Sequence, residues 1–197
     1  MNHANSTPIT TFELADQILN HYQTTIGKDW QGYRNHVTRM LNYCWYLLRK
    51  DQIDISQSTS NKLQIAAAFH DIALWTHNRV DYLEPSYQDS HRYLSEQQLQ
   101  HWQEEIQIII DMHHLLTPYH GPHAQLVEIF RRADLVDFSL GTIKHGISAD
   151  FIKAVQRALP NAGFHKALLR FSLKQLGTAP WDPLPMLRVK NRYRHNQ

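Results

Sequence analysis

Apolar side chains recur at steps of three and four residues along most of this chain, which is the spacing of one face of an α-helix. The clearest run lies between Tyr33 and Lys50, where the apolar positions are Val37, Met40, Leu41, Cys44, Leu47 and Leu48. The two-residue alternation of a half-buried strand does not reach a convincing length anywhere in the sequence. The periodicity therefore predicts an all-α protein, a single-domain bundle of helices around one core.

Short polar stretches and stretches containing glycine or proline separate the periodic segments, and such stretches end helices. We expect Thr10 or Thr11 to cap the first helix. The length of 197 residues suits one domain. We predict an all-α domain at 1–177 and a proline-containing basic tail at 178–197. The expected helices are 11–25, 33–50, 61–75, 87–98, 99–116, 124–140, 149–159 and 162–176, with a polar loop at 51–60 and irregular chain at 76–86.

Composition and charge limit the expected partners. A net charge of +2 is too small to indicate binding to nucleic acid. The sequence lacks an N-terminal signal core, and no stretch approaches the roughly 20 apolar residues that cross a bilayer. The single cysteine, Cys44, cannot form an intramolecular disulfide, which fits a reducing compartment. We therefore expect a cytoplasmic protein without a membrane segment; the sequence carries no signal for its oligomeric state.

The pair His70-Asp71 carries the strongest chemical signal. It follows the apolar run 65–69 and precedes the apolar residues 72–75. A neutral imidazole and a carboxylate both bind divalent cations. Adjacent residues on a helix point about 100° apart, so a helix end or a distortion is needed for both side chains to reach one ion. The fourteen histidines of the chain add to the expectation of a metal site.

Three further polar residues lie on apolar helix faces. His36 shares a face with Met40 and Leu47, and His113 follows Ile106 and Ile109. Taken alone, His36 is explained by one hydrogen bond in the core, and His113 by its position near a helix C-terminus.

Asp134 aligns with Val127 and Phe130, and Asp137 leans the same way. A core-facing carboxylate is costly unless it is paired, so a salt bridge from Asp134 to Arg131 or to another basic group is an alternative to metal binding. Taken together, however, the inward-facing imidazoles and carboxylates come from four predicted helices. Helical bundles build metal sites in this way.

In this order, the residues resemble the H…HD…D pattern of the HD-domain metal-dependent phosphohydrolase superfamily. The resemblance covers 36–140, within an expected metal-site core at about 33–145. The segments 72–76, 81–86 and 130–134 are similar to a bacterial branch of that superfamily to which we attach no substrate. The contexts that carry the resemblance are Tyr33-Arg-Asn-His36-Val-Thr-Arg39, Ala66-Ala-Ala-Phe-His70-Asp71-Ile, Ile110-Asp-Met-His113-His114 and Arg132-Ala-Asp134-Leu.

The resemblance implies a helical bundle of the HD-domain type and one divalent cation, with Mn, Mg, Co, Ni, Zn and Fe as candidates. The implied ligands are His36, His70, Asp71 and Asp134, with Asp137 as an alternative last ligand. Open coordination positions would admit water and substrate, and bound water would supply hydroxide near neutral pH. The implied function is hydrolysis of a small-molecule phosphate ester, with nucleotides among the candidates.

The resemblance also implies roles for residues around the ion. Asp71 would orient or deprotonate the water, while His113 and His114 would bind the phosphate or stabilise the leaving group. No acidic residue occurs at 72–75, so the acidic signature of the guanosine-tetraphosphate hydrolases is absent. The predicted substrate contacts are Arg39, Lys144 and Glu84, with Arg131 as a weaker candidate.

Two other functions stay open at this level. Some members of the superfamily are oxygenases that hold two irons with additional histidines between the HD pair and the last aspartate. A non-catalytic HD module that binds a ligand is less favoured, because a silent domain has no need to bury a complete ligand set. The histidines available for a second iron are His77, His91, His101, His113 and His114.

Overall fold

The computed structural model describes residues 7–181 and Pro185, and within these residues it is helical and contains no strand. The predicted fold class, all-α, is therefore confirmed. Short 3-10 turns occupy Gly27–Asp29 and Gln100–Trp102. The helices are α1 (Glu13–His21), α2 (Gln23–Ile26), α3 (Trp30–Lys50), α4 (Gln57–Phe69), α5 (Ala73–Thr76), α6 (Leu83–Glu96), α7 (Gln103–Met112), α8 (Ala124–Phe138), α9 (Ala149–Ala158) and α10 (Phe164–Thr178).

Helix α3 is the centre of the bundle. Most of its side chains are buried, and it packs against α8 and α4 on different sides. Helix α7 contacts α4, α6 and α8, while α9 and α10 cover the remaining side of α3. Because α3, α4, α7 and α8 all contribute to one core, side chains from their inner faces and ends can meet in the interior.

A glycine allows a close contact on α3. The helix begins at Trp30, three residues before the predicted start, and so includes Gly32. A Cβ on Gly32 would lie only 2.9 Å from the carbonyl oxygen of Ala162. This approach lets Phe164 stack on His36, with ring centroids 4.0 Å apart.

The starts of two predicted helices were wrong. Helix α1 begins at Glu13 after Phe12, whose side chain makes no capping hydrogen bond, so neither predicted threonine is the cap. The Phe12 ring packs instead on Trp45, with ring centroids 5.1 Å apart. Helix α4 begins four residues earlier than predicted, because Ser56 caps it by accepting from the Thr59 N–H at 3.1 Å.

The predicted irregular segment 76–86 was also too long. Helix α6 already begins at Leu83, so that Pro85 occupies its first turn. Proline is tolerated there because the first N–H groups of a helix have no intrahelical partner.

Two predicted helices stop at the residues of chemical interest. The predicted helix 61–75 is interrupted after Phe69 and resumes as α5 at Ala73, so His70 and Asp71 lie in the break. The predicted helix 99–116 ends at Met112, so His113 and His114 follow its C-terminus. The distortion expected at the HD pair is thus present.

The C-terminal part follows the predicted pattern closely. Helix α8 ends with Gly141 in the left-handed region at φ 81°, and its N–H donates to the Val136 carbonyl at 2.8 Å. Helix α10 ends at Thr178, and the four basic residues of the predicted tail lie outside the described residues. Of the helices in the described part, none combines the length and the apolar character needed to cross a bilayer.

Candidate metal centre

The structure brings the four predicted metal ligands together. His36 lies within α3, His70 and Asp71 follow α4, and Asp134 lies in α8. Their exposed fractions are 1%, 0%, 4% and 6%. One donor atom from each of His36, His70 and Asp134 lies within 4.8 Å of the other two. Three helices therefore supply donor atoms at a spacing that one cation can bridge.

Two of the imidazoles, those of His70 and His113, are oriented by backbone carbonyls in the last turn of the helix that precedes each of them. The Nδ1 atom of His70 lies 2.8 Å from the Ala67 carbonyl, and the Nδ1 atom of His113 lies 2.7 Å from the Ile110 carbonyl. These carbonyls belong to the last turns of α4 and α7, where helical acceptors are left unused. Since a carbonyl only accepts, each ring carries a proton on Nδ1 and presents Nε2 to the interior.

The third imidazole is oriented by a carboxylate. His36 Nδ1 lies 2.7 Å from Asp137 Oδ2. Burial alone would raise the pKa of Asp137, but Arg39 and His36 outweigh it and lower the pKa to about 2. The ionised carboxylate accepts a hydrogen bond from the Nδ1–H group of His36, and this bond directs His36 Nε2 toward His70. A carboxylate behind a histidine ligand is a common arrangement in metal sites. Asp134, rather than Asp137, is therefore the candidate ligand.

The Arg39 guanidinium binds Asp137, which contacts the Nδ1 side of His36 and not the Nε2 side that faces the cluster. Its Nε and Nη2 atoms donate to Asp137 at 2.6 and 2.7 Å, and Nη1 donates to the Leu159 and Pro160 carbonyls at 3.1 Å each. The residue is 2% exposed. This placement contradicts the predicted phosphate contact, because every nitrogen of the guanidinium is already bonded to the protein.

The first group of donors is arranged for a cation. His36 Nε2 lies 3.1 Å from His70 Nε2 and 3.7 Å from Asp134 Oδ1. Burial is the main reason why the pKa of His70 is lowered to about 3, so its ring is neutral at pH 7 and keeps a lone pair on Nε2. Burial also raises the pKa of Asp134 to about 6. Near neutral pH these side chains are in the forms that bind metal.

Asp71 and His113 extend the cluster. His113 Nε2 lies 3.5 Å from Asp71 Oδ1, and the other oxygen of Asp71 lies 3.4 Å from His70 Nε2. Both Asp71 Oδ1 and His113 Nε2 are buried without a hydrogen-bond partner among the described residues. Because buried polar atoms are normally paired, two orphaned atoms that face each other indicate a place for a ligand.

Two tyrosines, Tyr33 and Tyr82, support the cluster. The Tyr33 hydroxyl donates to the Ala68 carbonyl at 3.0 Å and accepts from the Asp71 N–H at 3.4 Å, which fixes the break after α4. The Tyr82 hydroxyl lies 2.5 Å from His114 Nε2. Burial and the charge of Asp71 raise the pKa of Tyr82 well above its usual value, so the hydroxyl stays protonated.

A cavity of about 330 Å³ opens from the cluster. Among the described residues that line it are imidazoles and carboxylates of the cluster, and the only other polar side chains among them are Tyr82 and Ser172. None of the described residues that line it is a lysine or an arginine. The apolar residues of the wall are Leu74, Val80, Leu115, Leu116, Leu135, Phe138, Phe164, Leu168 and Phe171.

The other predicted substrate contacts do not line the cavity. Lys144 is exposed in the turn after α8, and Glu84 is half-buried in the first turn of α6. Arg131 is bound to Glu128 by two hydrogen bonds of 2.6 and 2.9 Å and donates to the Leu115 carbonyl at 3.0 Å. The alternative salt bridge from Asp134 to Arg131 is therefore wrong.

Only two of the five histidines proposed for a second iron join the cluster. His113 and His114 form a donor group with Asp134 in which the three atoms lie within 4.8 Å of one another. In contrast, His77 and His101 are exposed, and His91 Nε2 lies 3.2 Å from the Gln103 carbonyl.

Comparison of the chain with protein-family models, with curated proteins and with solved structures finds no match. The residues of the cluster therefore carry the functional argument by themselves.

Proposed function

We propose that this protein is a metal-dependent phosphohydrolase that cleaves a small phosphate ester with a metal-activated water. One observation carries the proposal. The Nε2 atoms of three buried imidazoles, on His36, His70 and His113, lie together with the carboxylates of Asp71 and Asp134, and four of these five residues line a cavity. Each Nδ1 atom is held by an acceptor of the protein, so the inward orientation is built into the fold.

The donor set suits a divalent transition metal. His36, His70, Asp71 and Asp134 would hold one ion, and nitrogen and carboxylate donors of this kind suit Mn, Fe, Co, Ni and Zn. Two carboxylates balance the double charge of the ion, which offsets the cost of burying them. A cation bound there would acidify a coordinated water and neutralise charge on a phosphoryl oxygen.

The proposed reaction adds water across the ester bond. The water oxygen bonds to phosphorus, the P–O bond to the alcohol breaks, and the departing oxygen takes up a proton. Asp71 is placed to receive the proton of the water, because its Oδ1 atom is otherwise unpartnered. His113 faces Asp71, and His114 is hydrogen-bonded to the Tyr82 hydroxyl, so these groups lie where the phosphate and the departing alcohol would be.

An oxygenase with two irons is the second candidate, and the overlap of the donor groups favours it. His70, Asp71 and His113 form one triad, and His113, His114 and Asp134 form another. Together with His36, which forms a third triad with His70 and Asp134, these six residues could hold two ions. Metal content separates the two candidates, since the hydrolase proposal expects one divalent ion per chain and the oxygenase expects two irons.

The test of the proposed function is metal binding by single-site variants. We expect His70→Ala and Asp71→Ala to lose stoichiometric metal, because each removes a buried donor that no neighbour replaces. Metal content is measured by elemental analysis of the purified proteins. The parent protein is screened for hydrolysis of nucleotides and sugar phosphates with Mn, Mg, Co and Ni.

His77→Ala and Asp81→Asn are the matched controls, because both side chains are exposed and outside the cluster. These variants are expected to keep the metal. Stoichiometric metal in both His70→Ala and Asp71→Ala would reject the site. A metal-loaded protein without activity on any phosphate ester would reject the phosphohydrolase.

A further inference from the structure

Beyond the cluster, the described residues that line the cavity are mostly apolar. Leu168 and Phe171 of α10 form one side of it, and Leu74 lies on another. At its mouth, Leu116 and Phe138 both line the cavity and remain 76% and 55% exposed. The apolar wall therefore continues out to solvent beyond the polar inner end.

The scarcity of cationic and polar side chains in the described wall disfavours polyphosphates and nucleobases as ligands. Because no lysine or arginine is among the described cavity residues, the charges of a polyphosphate would meet only the metal and the imidazoles. In the part of the chain that the structure describes, the wall beyond the cluster offers only Tyr82 and Ser172 as polar side chains. The amide and amine groups of a buried nucleobase would then be left without partners, which is costly.

We infer that the substrate is a phosphate ester of an apolar alcohol, bound with its phosphate at the metal cluster and its alkyl group along the cavity. The inference rests on the proposed function and specifies its substrate class. The volume of about 330 Å³ lies at the lower end of ligand pockets, so the alkyl group is of modest length. A longer chain would pass over Leu116 and Phe138 at the mouth.

The experiment measures the binding of alkylphosphonates to the metal-loaded protein by calorimetry. Phosphonates keep the anionic head group, and their C–P bond is not cleaved by ester hydrolysis. Methyl-, butyl-, hexyl- and octylphosphonate form the series. We expect the Kd to fall by about fourfold for each methylene that the cavity buries, until the chain reaches the mouth.

Two leucines of α10 provide a matched pair of variants. Leu168 lines the cavity, while its neighbour Leu169 does not line it and is 60% exposed. Leu168→Gln is expected to remove most of the dependence on chain length, whereas Leu169→Gln keeps it. If Leu168→Gln fails to fold, Leu116→Gln serves instead, because that side chain is largely exposed. It should weaken octylphosphonate and leave methylphosphonate unchanged.

The outcomes separate this inference from the function on which it rests. Equal affinity for phosphonates of all chain lengths would overturn the inference of an apolar substrate, as would an equal effect of Leu168→Gln and Leu169→Gln. Either result would leave the proposed phosphohydrolase function untouched. The absence of binding by every phosphonate, in protein shown to contain metal, overturns both proposals. A dependence on chain length that disappears in Leu168→Gln alone supports the inference.

Discussion

The most informative residue outside the cluster is Asp137, because it connects His36, a candidate metal ligand, to the buried guanidinium of Arg39. Both of its carboxylate oxygens accept hydrogen bonds from Arg39, and one of them also accepts a hydrogen bond from His36 Nδ1. A buried arginine needs its counter-charge, since an isolated charge in the interior is strongly unfavourable. The same carboxylate thus balances Arg39 and fixes the tautomer and direction of His36.

We predict that Asp137→Asn lowers metal affinity by about 10–100-fold, because the amide no longer holds His36 as a carboxylate does. The variant also leaves the Arg39 charge uncompensated, which should lower the free energy of unfolding by about 3–5 kcal/mol. Metal titration and urea denaturation measure the two effects.

Asp16→Asn is the control for the Asp137 variant. Asp16 also pairs with an arginine, Arg34, at 2.8 Å, but lies at a partly exposed position outside the cluster. Its loss should cost no more than about 1 kcal/mol and leave metal affinity unchanged. A normal metal affinity in Asp137→Asn would contradict the role given to this carboxylate.

The predictions for single residues succeeded where helical spacing determines which face of the helix a side chain lies on. His36 and Asp134 were expected on inner faces, and both are buried in the cluster. It failed for Arg39, three residues after His36, because a long side chain can reach several partners. Its actual partner, Asp137, is 98 residues away in sequence, and only the packing of α3 against α8 brings them together.

At the level of elements, the segment after α7 is held by an ion pair on α8. Glu128 accepts from the Tyr119 N–H at 2.7 Å and pairs with Arg131, which donates to the Leu115 carbonyl at 3.0 Å. Both ends of the segment that follows His114 are therefore fastened to α8. This attachment keeps the cavity wall at Leu115 in place.

We predict that Glu128→Gln lowers the free energy of unfolding at pH 7 by about 1.5–3 kcal/mol, the contribution of a hydrogen bond to a charged group. Although burial raises the pKa of Glu128, its bonds to Arg131 and Tyr119 lower it below the ordinary 4.5. A carboxylate whose pKa is lower in the folded state than in the unfolded state stabilises the fold fully above pH 4.5. This stabilisation is lost as the pH falls through the pKa of the folded state.

The difference in stability between the parent protein and Glu128→Gln should therefore shrink as the pH falls below 4.5. Urea denaturation from pH 7 to pH 3.5 measures this difference. A difference that stays constant over that range would show that the charge of Glu128 does not stabilise the segment.

The elements themselves were predicted with uneven success, and the errors have physical causes. The centre of α3 and the end of α8 follow from apolar periodicity and from Gly141. A helix end or a distortion was expected at His70-Asp71, but the predicted helix 61–75 ran through this pair, because apolar residues at 65–69 and 72–75 lie on both sides of it. The break is instead held by the Tyr33 hydroxyl, a contact 35 residues away in sequence to the Ala68 carbonyl.

For the molecule as a whole, the cluster joins parts of the chain that are distant in sequence. Its candidate ligands come from α3, from the end of α4 and from α8, so one ion would connect three elements of the core. The cluster contains close imidazole nitrogens and two buried polar atoms that have no hydrogen-bond partner among the described residues. Metal binding should therefore be coupled to the stability of the entire domain.

We predict that metal at 100 times its Kd stabilises the folded protein by about 2.7 kcal/mol, because the ion binds the assembled site and not the separate helices. For a domain of this size, the Tm should rise by about 5–10 °C. Differential scanning calorimetry of chelator-treated protein, with and without added metal, measures the shift. The shift should disappear in His70→Ala and persist in His77→Ala, since only His70 belongs to the cluster. An equal Tm in chelator and in saturating metal would mean that the three elements are not joined by an ion.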